Sequence, residues 1–329
     1  MVKQQTAPIP SVPNPPGGAV DRFVKATRAG IHRLTVGKDR AIDLTLTAIL
    51  CGGNVLIEDV PGTGKTTLSK ALAWSLDCTF GRIQFTPDLM PADILGVNVF
   101  NLKTSQFEFR PGPIFCQILL ADEINRATPR TQSALLEAMQ EHQVSIDGVT
   151  MPLPTPFIVI ATLNPIEMEG TFPLPEAQLD RFMLRVSLGY PTRNEELEML
   201  DRSNTVTDPS RLAPVTSPLD LASARQQVNG ILISDTVNKY LLDIVQATRA
   251  NEQLQLGASP RATLALYHAS QAWAAIRGRT YVIPDDIKGL AVSVLSHRII
   301  TAQQTRLRGL SSEQMIAQLV DSIPVPIER

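Results

Sequence analysis

The segment from residue 59 to residue 67 places glycines, a lysine and threonines at a spacing that suits a bound phosphate. Its members are Asp59, Val60, Pro61, Gly62, Thr63, Gly64, Lys65, Thr66 and Thr67. Gly62 and Gly64 let backbone N–H groups turn toward an anion, and Lys65 adds a positive charge beside the β- and γ-phosphates. The Thr66 hydroxyl is a ligand for Mg²⁺. We therefore expect all nine residues to bind a nucleotide, although the strict motif begins with glycine where this chain has Asp59.

Two adjacent carboxylates, Asp122 and Glu123, follow the apolar run 118–121. Such a run predicts a buried strand, so both acids would lie at the carboxyl edge of a sheet, near the glycine-rich loop. Asp122 would then hold the Mg²⁺ shell, and Glu123 would polarise an attacking water as a general base. A solvated acidic pair is the common alternative. The loop upstream favours nucleotide hydrolysis instead.

Asn164 follows another apolar run, 157–162, and would lie beside the two acids. An amide at that position would orient the attacking water or contact the γ-phosphate. The alternative is an ordinary loop start, because Asn-Pro commonly begins a loop.

These residues need a sheet to bring them together, and the apolar pattern predicts one. Buried strands are expected at 54–58, 79–85, 117–122, 157–162 and 183–188. Helices are expected between them, at 65–76 and 129–141 among others. Near-continuous apolar strands alternating with helices predict an α/β fold with a parallel sheet. Alternation at 106–110 and around Asp147-Gly148 in 144–154 predicts two inserted hairpins.

The chain divides into three predicted parts. Residues 1–18 hold five prolines and no aromatic residue, which favours a flexible tail. Residues 19–203 form the α/β core. Residues 204–329 form an all-α domain with helices expected at 235–250, 260–277, 284–296 and 311–321.

Composition limits the class of protein. Thirty Lys and Arg against 32 Asp and Glu give a net charge of −2, which provides no overall attraction to nucleic acid. The three cysteines form no CxxC pair, which fits a reducing compartment. No apolar run is long enough for a membrane span. A soluble, cytoplasmic protein is expected.

Several further segments, taken with those above, resemble a MoxR-type AAA+ ATPase of the helix-2-insert clade. They are 36–38, 121–127, 132–139, 161–165, 174–182 and 257–261, which together extend over most of the chain beyond the tail. The runs Glu-Ala-Gln-Leu-Asp-Arg-Phe and Gly-Ala-Ser-Pro-Arg are specific in combination. The resemblance implies a parallel five-stranded P-loop AAA+ core with a C-terminal all-α lid domain.

The resemblance also implies roles for individual residues. Val36 and Gly37 would flank the adenine of ATP. Asn164 would be the sensor 1 residue. Arg181 would be an arginine finger that reaches the γ-phosphate bound by a neighbouring subunit. Arg261 would be the sensor 2 residue of the lid, again at the γ-phosphate.

The implied function is ATP hydrolysis, with ATP and Mg²⁺, in a ring that is expected to be a hexamer. By resemblance, the ring would act as a chaperone on a protein client, and such clients commonly carry a von Willebrand factor A domain. Alternatives within the clade are a magnesium-chelatase-like motor subunit and a nucleic-acid motor. The second predicts basic residues in the 144–154 hairpin, which has none.

Overall fold

The structure is a computed structural model that describes residues 18–165, 170–203 and 213–326. The predicted tail lies outside the described residues except for Gly18. The predicted boundary after residue 203 falls where the described residues stop. The three-part division therefore remains a prediction.

Eleven strands and thirteen α-helices make up the described part of the chain. The strands are β1 Asn54–Glu58, β2 Phe80–Gln84, β3 Gly96–Asn101, β4 Gln106–Pro111, β5 Ile118–Asp122, β6 Gln143–Ile146, β7 Val149–Pro152, β8 Ile158–Leu163, β9 Phe182–Val186, β10 Leu254–Leu256 and β11 Ile300–Thr301. The helices are α1 Ala19–His32, α2 Asp39–Leu50, α3 Lys65–Ser75, α4 Pro91–Leu95, α5 Pro129–Glu141, α6 Glu176–Leu179, α7 Arg193–Ser203, α8 Pro218–Val228, α9 Asp235–Ala250, α10 Pro260–Ile276, α11 Pro284–Leu295, α12 Gln303–Leu307 and α13 Ser312–Ser322.

The predicted parallel sheet is confirmed, with strand order β2-β5-β8-β1-β9. Its central strands are buried on both faces. Along β1, for example, Val55 and Ile57 join one hydrophobic core while Leu56 joins the other. The first core lies against α1–α3 and the lid helices, and the second lies against α5. Two-sided burial explains why the strands are continuous apolar runs in the sequence.

Both inserted hairpins are confirmed. β3 pairs with β4, and β6 pairs with β7 around the predicted turn. Asp147 and Gly148 have φ of 50° and 82°, as a type I′ turn requires. The Asn98 amide donates to the Asp147 carboxylate at 2.7 Å, so the two hairpins contact each other.

The C-terminal part is helical as predicted, and α9 has the predicted bounds. It also contains the short antiparallel pair β10–β11, which the all-α expectation missed. Three-residue and two-residue strands carry too little alternation to be read from sequence. None of the described helices is long and apolar enough to span a bilayer.

Candidate functional site

The glycine-rich loop joins β1 to α3 and leaves an open cradle. Gly62 and Gly64 have φ of 83° and 95°, a region that side chains with a Cβ rarely adopt. A Cβ built on either glycine would meet nothing within 4 Å. The loop therefore has both the backbone conformation and the space that a phosphate group requires.

Lys65 begins α3, so the positive end of the helix dipole faces the same cradle. Its Nζ donates to the Asp59 carbonyl at 2.8 Å, and the side chain is buried. Thr66 follows in the first turn. The Thr66 hydroxyl and the Asp122 carboxylate are hard oxygen donors of the kind that Mg²⁺ prefers. The residues present therefore fit a magnesium nucleotide.

The Asp59 carboxylate binds backbone groups of the protein itself. It accepts hydrogen bonds from the backbone N–H groups of Leu188 (2.6 Å), Gly189 (2.7 Å) and Val60 (2.9 Å). The loop backbone at Asp59 is in place for a nucleotide, but its buried carboxylate ties the loop to the segment after β9. Asp59 thus holds the glycine-rich loop against residues 188 and 189.

Replacing Asp59 with alanine is expected to loosen this junction. The free energy of unfolding should fall by about 2–4 kcal/mol, because three N–H groups lose a charged acceptor. ATP affinity should fall as well, since the loop and the 187–189 segment lose their common anchor. Thermal melting and nucleotide titration measure both effects, with the exposed Asp88→Ala as control. Unchanged melting and unchanged affinity would refute this role.

Asp122 is the last residue of β5 and Glu123 follows it; one strand separates β5 from β1 in the sheet order. Asp122 accepts from the Thr162 hydroxyl at 2.7 Å and from Arg82 at 2.8 Å. Glu123 accepts from Gln84 and from Arg126, both at 3.0 Å. The φ of Glu123 is 56°, an unfavourable region for a glutamate, and such strain is typical of functional positions.

β8 lies between β5 and β1, and Asn164 follows its last residue. Thr162 on this strand accepts from the Glu123 N–H at 2.8 Å while donating to Asp122, so the strand ends are joined. Asn164 is buried at this edge. The structure therefore brings Asn164, Asp122, Glu123 and the glycine-rich loop to the carboxyl ends of three neighbouring strands, as predicted.

A cavity of about 290 Å³ opens beside the loop and has a mainly apolar lining. Its lining comprises Leu34, Thr35, Val36, Lys38, Gly62, Thr63, Gly64, Thr67, Leu68, Leu188, Pro191, Met199 and Arg202. Gly37 lies within the same segment at a φ of 64°, and a Cβ there would overlap the Glu195 carboxylate. An apolar cavity next to a phosphate cradle suits the adenine and ribose of a nucleotide.

Several residues of the site were not predicted. Arg82 and Gln84 are two residues apart on the edge strand β2, so their side chains lie on the same face of the sheet. Arg82 contacts Asp122, and Gln84 contacts Glu123. Met199 and Arg202 reach the cavity from α7. One signal for α7 is present: Thr192 and Glu195 exchange hydrogen bonds as a capping box, which the pattern Thr-x-x-Glu indicates.

Arg181 lies at the opposite edge of the sheet from the glycine-rich loop. Phe182 pairs with Asn54, the first residue of β1, whereas the loop follows Glu58, the last. Five strand residues rise about 16 Å. Arg181 Nη1 donates to the Leu136 carbonyl at 2.6 Å, in this same chain.

Arg261 begins a helix that contacts the residue before Arg181, and it is not among the residues that line the cavity. It is in the first turn of α10, whose N-cap residue Ser259 donates to Asp180 at 2.9 Å. We call Asp180, Arg181 and Arg261 the arginine edge. Neither arginine is among the residues that line the cavity of its own chain. That Arg261 contacts a γ-phosphate stays a prediction.

Comparison with known proteins adds to this geometry. Residues 54–184 match the ATPase family associated with various cellular activities (AAA), and residues 246–319 match the AAA lid domain. The matches cover the sheet, the loop and most of the helical part. They establish an ATPase domain that binds nucleotide.

Individual relatives match almost the whole chain. Chaperone MoxR1 of Mycobacterium tuberculosis is 40% identical, covering 95% of this chain and 86% of its own. Uncharacterized protein YeaC of Bacillus subtilis is 48% identical, covering 91% and 93%. The magnesium-chelatase 38 kDa subunit of Rhodobacter capsulatus is more distant, at 27% identity.

A crystal structure from Cytophaga hutchinsonii, of a protein described as a candidate ATPase, has the same fold. It superposes with a TM-score of 0.86 at 38% sequence identity and covers 94% of this chain and 96% of its own. Nearly full-length matches of this kind include the core and the lid together. The chain belongs to the MoxR family of AAA+ ATPases.

Proposed function

We propose that each ATP site is completed by a second copy of this chain within a ring, and that the ring is a hexamer. The separation of the arginine edge from the cavity carries this proposal. Arg181 lies about a strand length from the loop of its own chain. Arg261 begins the helix whose N-cap residue contacts Asp180, so we expect both arginines to serve an ATP site that a neighbour presents. Repetition of one such head-to-tail contact forms a ring when its rotation closes, and we propose that it closes at six copies.

Within one site, we propose the following roles. The loop from Asp59 to Thr67 holds the phosphates, with Lys65 at the β- and γ-phosphates. Val36 and Gly37 border the adenine. Thr66 and Asp122 would hold Mg²⁺, which when bound neutralises charge between the β- and γ-phosphates.

Hydrolysis then needs a water aligned with the γ-phosphate. Glu123 accepts the proton from this water, which requires its carboxylate to exchange the contacts with Gln84 and Arg126 for the water. Asn164 orients the water. Arg181 and Arg261 of the neighbouring copy stabilise the charge that develops on the γ-phosphate oxygens.

We further propose a protein client, of which one class carries a von Willebrand factor A domain. Apolar side chains at the hairpin tip support a protein over a nucleic acid. Phe100 and Phe107 stack edge to face with ring centroids 5.2 Å apart, yet they are 46% and 72% exposed. The hairpin β6–β7 beside them has no Lys or Arg. A cytoplasmic location fits this proposal.

The client proposal is tested by ATP-dependent capture. Glu123→Gln chains keep ATP bound and should therefore hold a client. The double variant Glu123→Gln, Phe107→Ser should not hold it. Leu219→Ser is the control, because Leu219 is also largely exposed, at 79%, but lies on α8. Purified von Willebrand factor A domain protein that binds all three variants equally would contradict the proposal.

A further inference from the structure

Arg298 binds the chain on both sides of Arg181. It ends a 3₁₀ turn, Ser296–Arg298, after α11. Its Nε donates to Asp180 Oδ1 at 2.7 Å, and its Nη atoms donate to the carbonyls of Phe182 at 2.6 Å and Met183 at 3.0 Å. Only 2% of the side chain is exposed. One guanidinium therefore holds residues 180, 182 and 183 together.

The Asp180 carboxylate extends this contact to Arg261. Oδ1 binds Arg298, and Oδ2 accepts from the Ser259 hydroxyl. Ser259 also accepts from the Ala262 N–H at 3.2 Å and so caps the first turn of α10, which carries Arg261. A single carboxylate thus joins the backbone of Arg181 to the helix start of Arg261.

Stability alone does not account for a buried charge at this place. Burial lowers the pKa of Arg298 to about 10, and Asp180 opposes that shift, so the guanidinium stays charged at neutral pH. Apolar residues of similar volume commonly stabilise a fold as well as a buried ion pair does. The fork of fixed donors in arginine instead provides orientation.

We propose that Arg298 is a positioning residue that aligns Arg181 and Arg261 with the ATP held by a second copy of the chain. This inference rests on the proposed shared site. Arg298 does not touch ATP, but both arginines depend on the backbone and helix start that it fixes. A misplacement of about 1 Å at such a site costs about 10²-fold in rate.

The test uses mixed assemblies of inactive chains. Arg298→Met should lower kcat by about 10²-fold and leave ATP affinity unchanged, because the cavity is remote from it. In mixtures, Arg298→Met chains should regain turnover with Glu123→Gln chains, which supply an intact arginine edge. They should stay inactive with Arg181→Ala chains, because both then lack that edge. Arg308→Met, at an exposed arginine, is the control.

A mixture of Glu123→Gln with Arg181→Ala serves as reference and separates the two claims. If the reference gains no turnover, the shared site itself is refuted. If the reference gains turnover, three results would each refute the role of Arg298: wild-type kcat in Arg298→Met, turnover restored by Arg181→Ala, or none restored by Glu123→Gln. Should Arg298→Met melt below the assay temperature, Arg298→Lys replaces it in the same mixtures, because lysine retains the charge beside Asp180. The same results are then expected, and the same three would refute the role.

Discussion

Glu123→Gln is expected to bind ATP with wild-type affinity and to lose turnover by about 10²–10⁴-fold, the contribution of a general base. Glutamine has the shape of glutamate but accepts no proton. The carboxylate lies at the end of β5, beside the loop, and it holds hydrogen bonds with Gln84 and Arg126 that glutamine can partly retain. The fold and the nucleotide pocket should therefore be unaffected.

Phosphate release and nucleotide titration measure the two quantities separately. Glu141→Gln, an exposed position at the end of α5, is the matched control and should keep wild-type turnover. Substantial hydrolysis by Glu123→Gln would remove Glu123 as the base. A loss of ATP affinity would instead place Glu123 in binding.

Arg181→Ala has the second large effect, a loss of turnover of about 10³-fold or more, as for arginine fingers in GTPases. Its ATP affinity should match the wild type, because Arg181 lies at the edge of the sheet away from the cavity. This combination follows from the strand register, in which Phe182 pairs with Asn54.

Arg130→Ala provides the control, since Arg130 is an exposed arginine in the first turn of α5, the helix whose Leu136 carbonyl Arg181 contacts. Steady-state kinetics over a range of ATP concentrations gives kcat and KM. If Arg181→Ala raised KM with kcat unchanged, Arg181 would contribute to ground-state binding and not to the transition state.

Much of the site could be predicted because it follows the ends of parallel strands. The loop after β1, the acids after β5 and Asn164 after β8 each follow an apolar run, and the carboxyl ends of such strands meet at one edge. Local sequence is sufficient to predict this arrangement, because each strand can be recognised from its own apolar pattern.

Contacts across the sheet could not be predicted in the same way. Gln84 reaches Glu123 because β2 pairs with β5, a register that local pattern leaves open. The carboxylate of Asp59 binds residues 188 and 189, which lie far along the chain. No spacing rule connects such partners.

The position of Arg261 shows the same limit at the level of domains. Its motif is recognisable, but which ATP it faces depends on how α10 packs against the start of β9. The Ser259–Asp180 contact places it beside Arg181, at the arginine edge. Only the packing of the lid helices brings the start of α10 to the end of the sheet where β9 begins.

Turnover in an equal mixture of Glu123→Gln and Arg181→Ala chains tests the shared site most directly. Each variant alone should be inactive. With random assortment, about one quarter of the contacts in a head-to-tail ring pair an intact cavity with an intact arginine edge. The mixture should therefore hydrolyse ATP at about a quarter of the wild-type rate. A mixture as inactive as either variant alone would contradict the account.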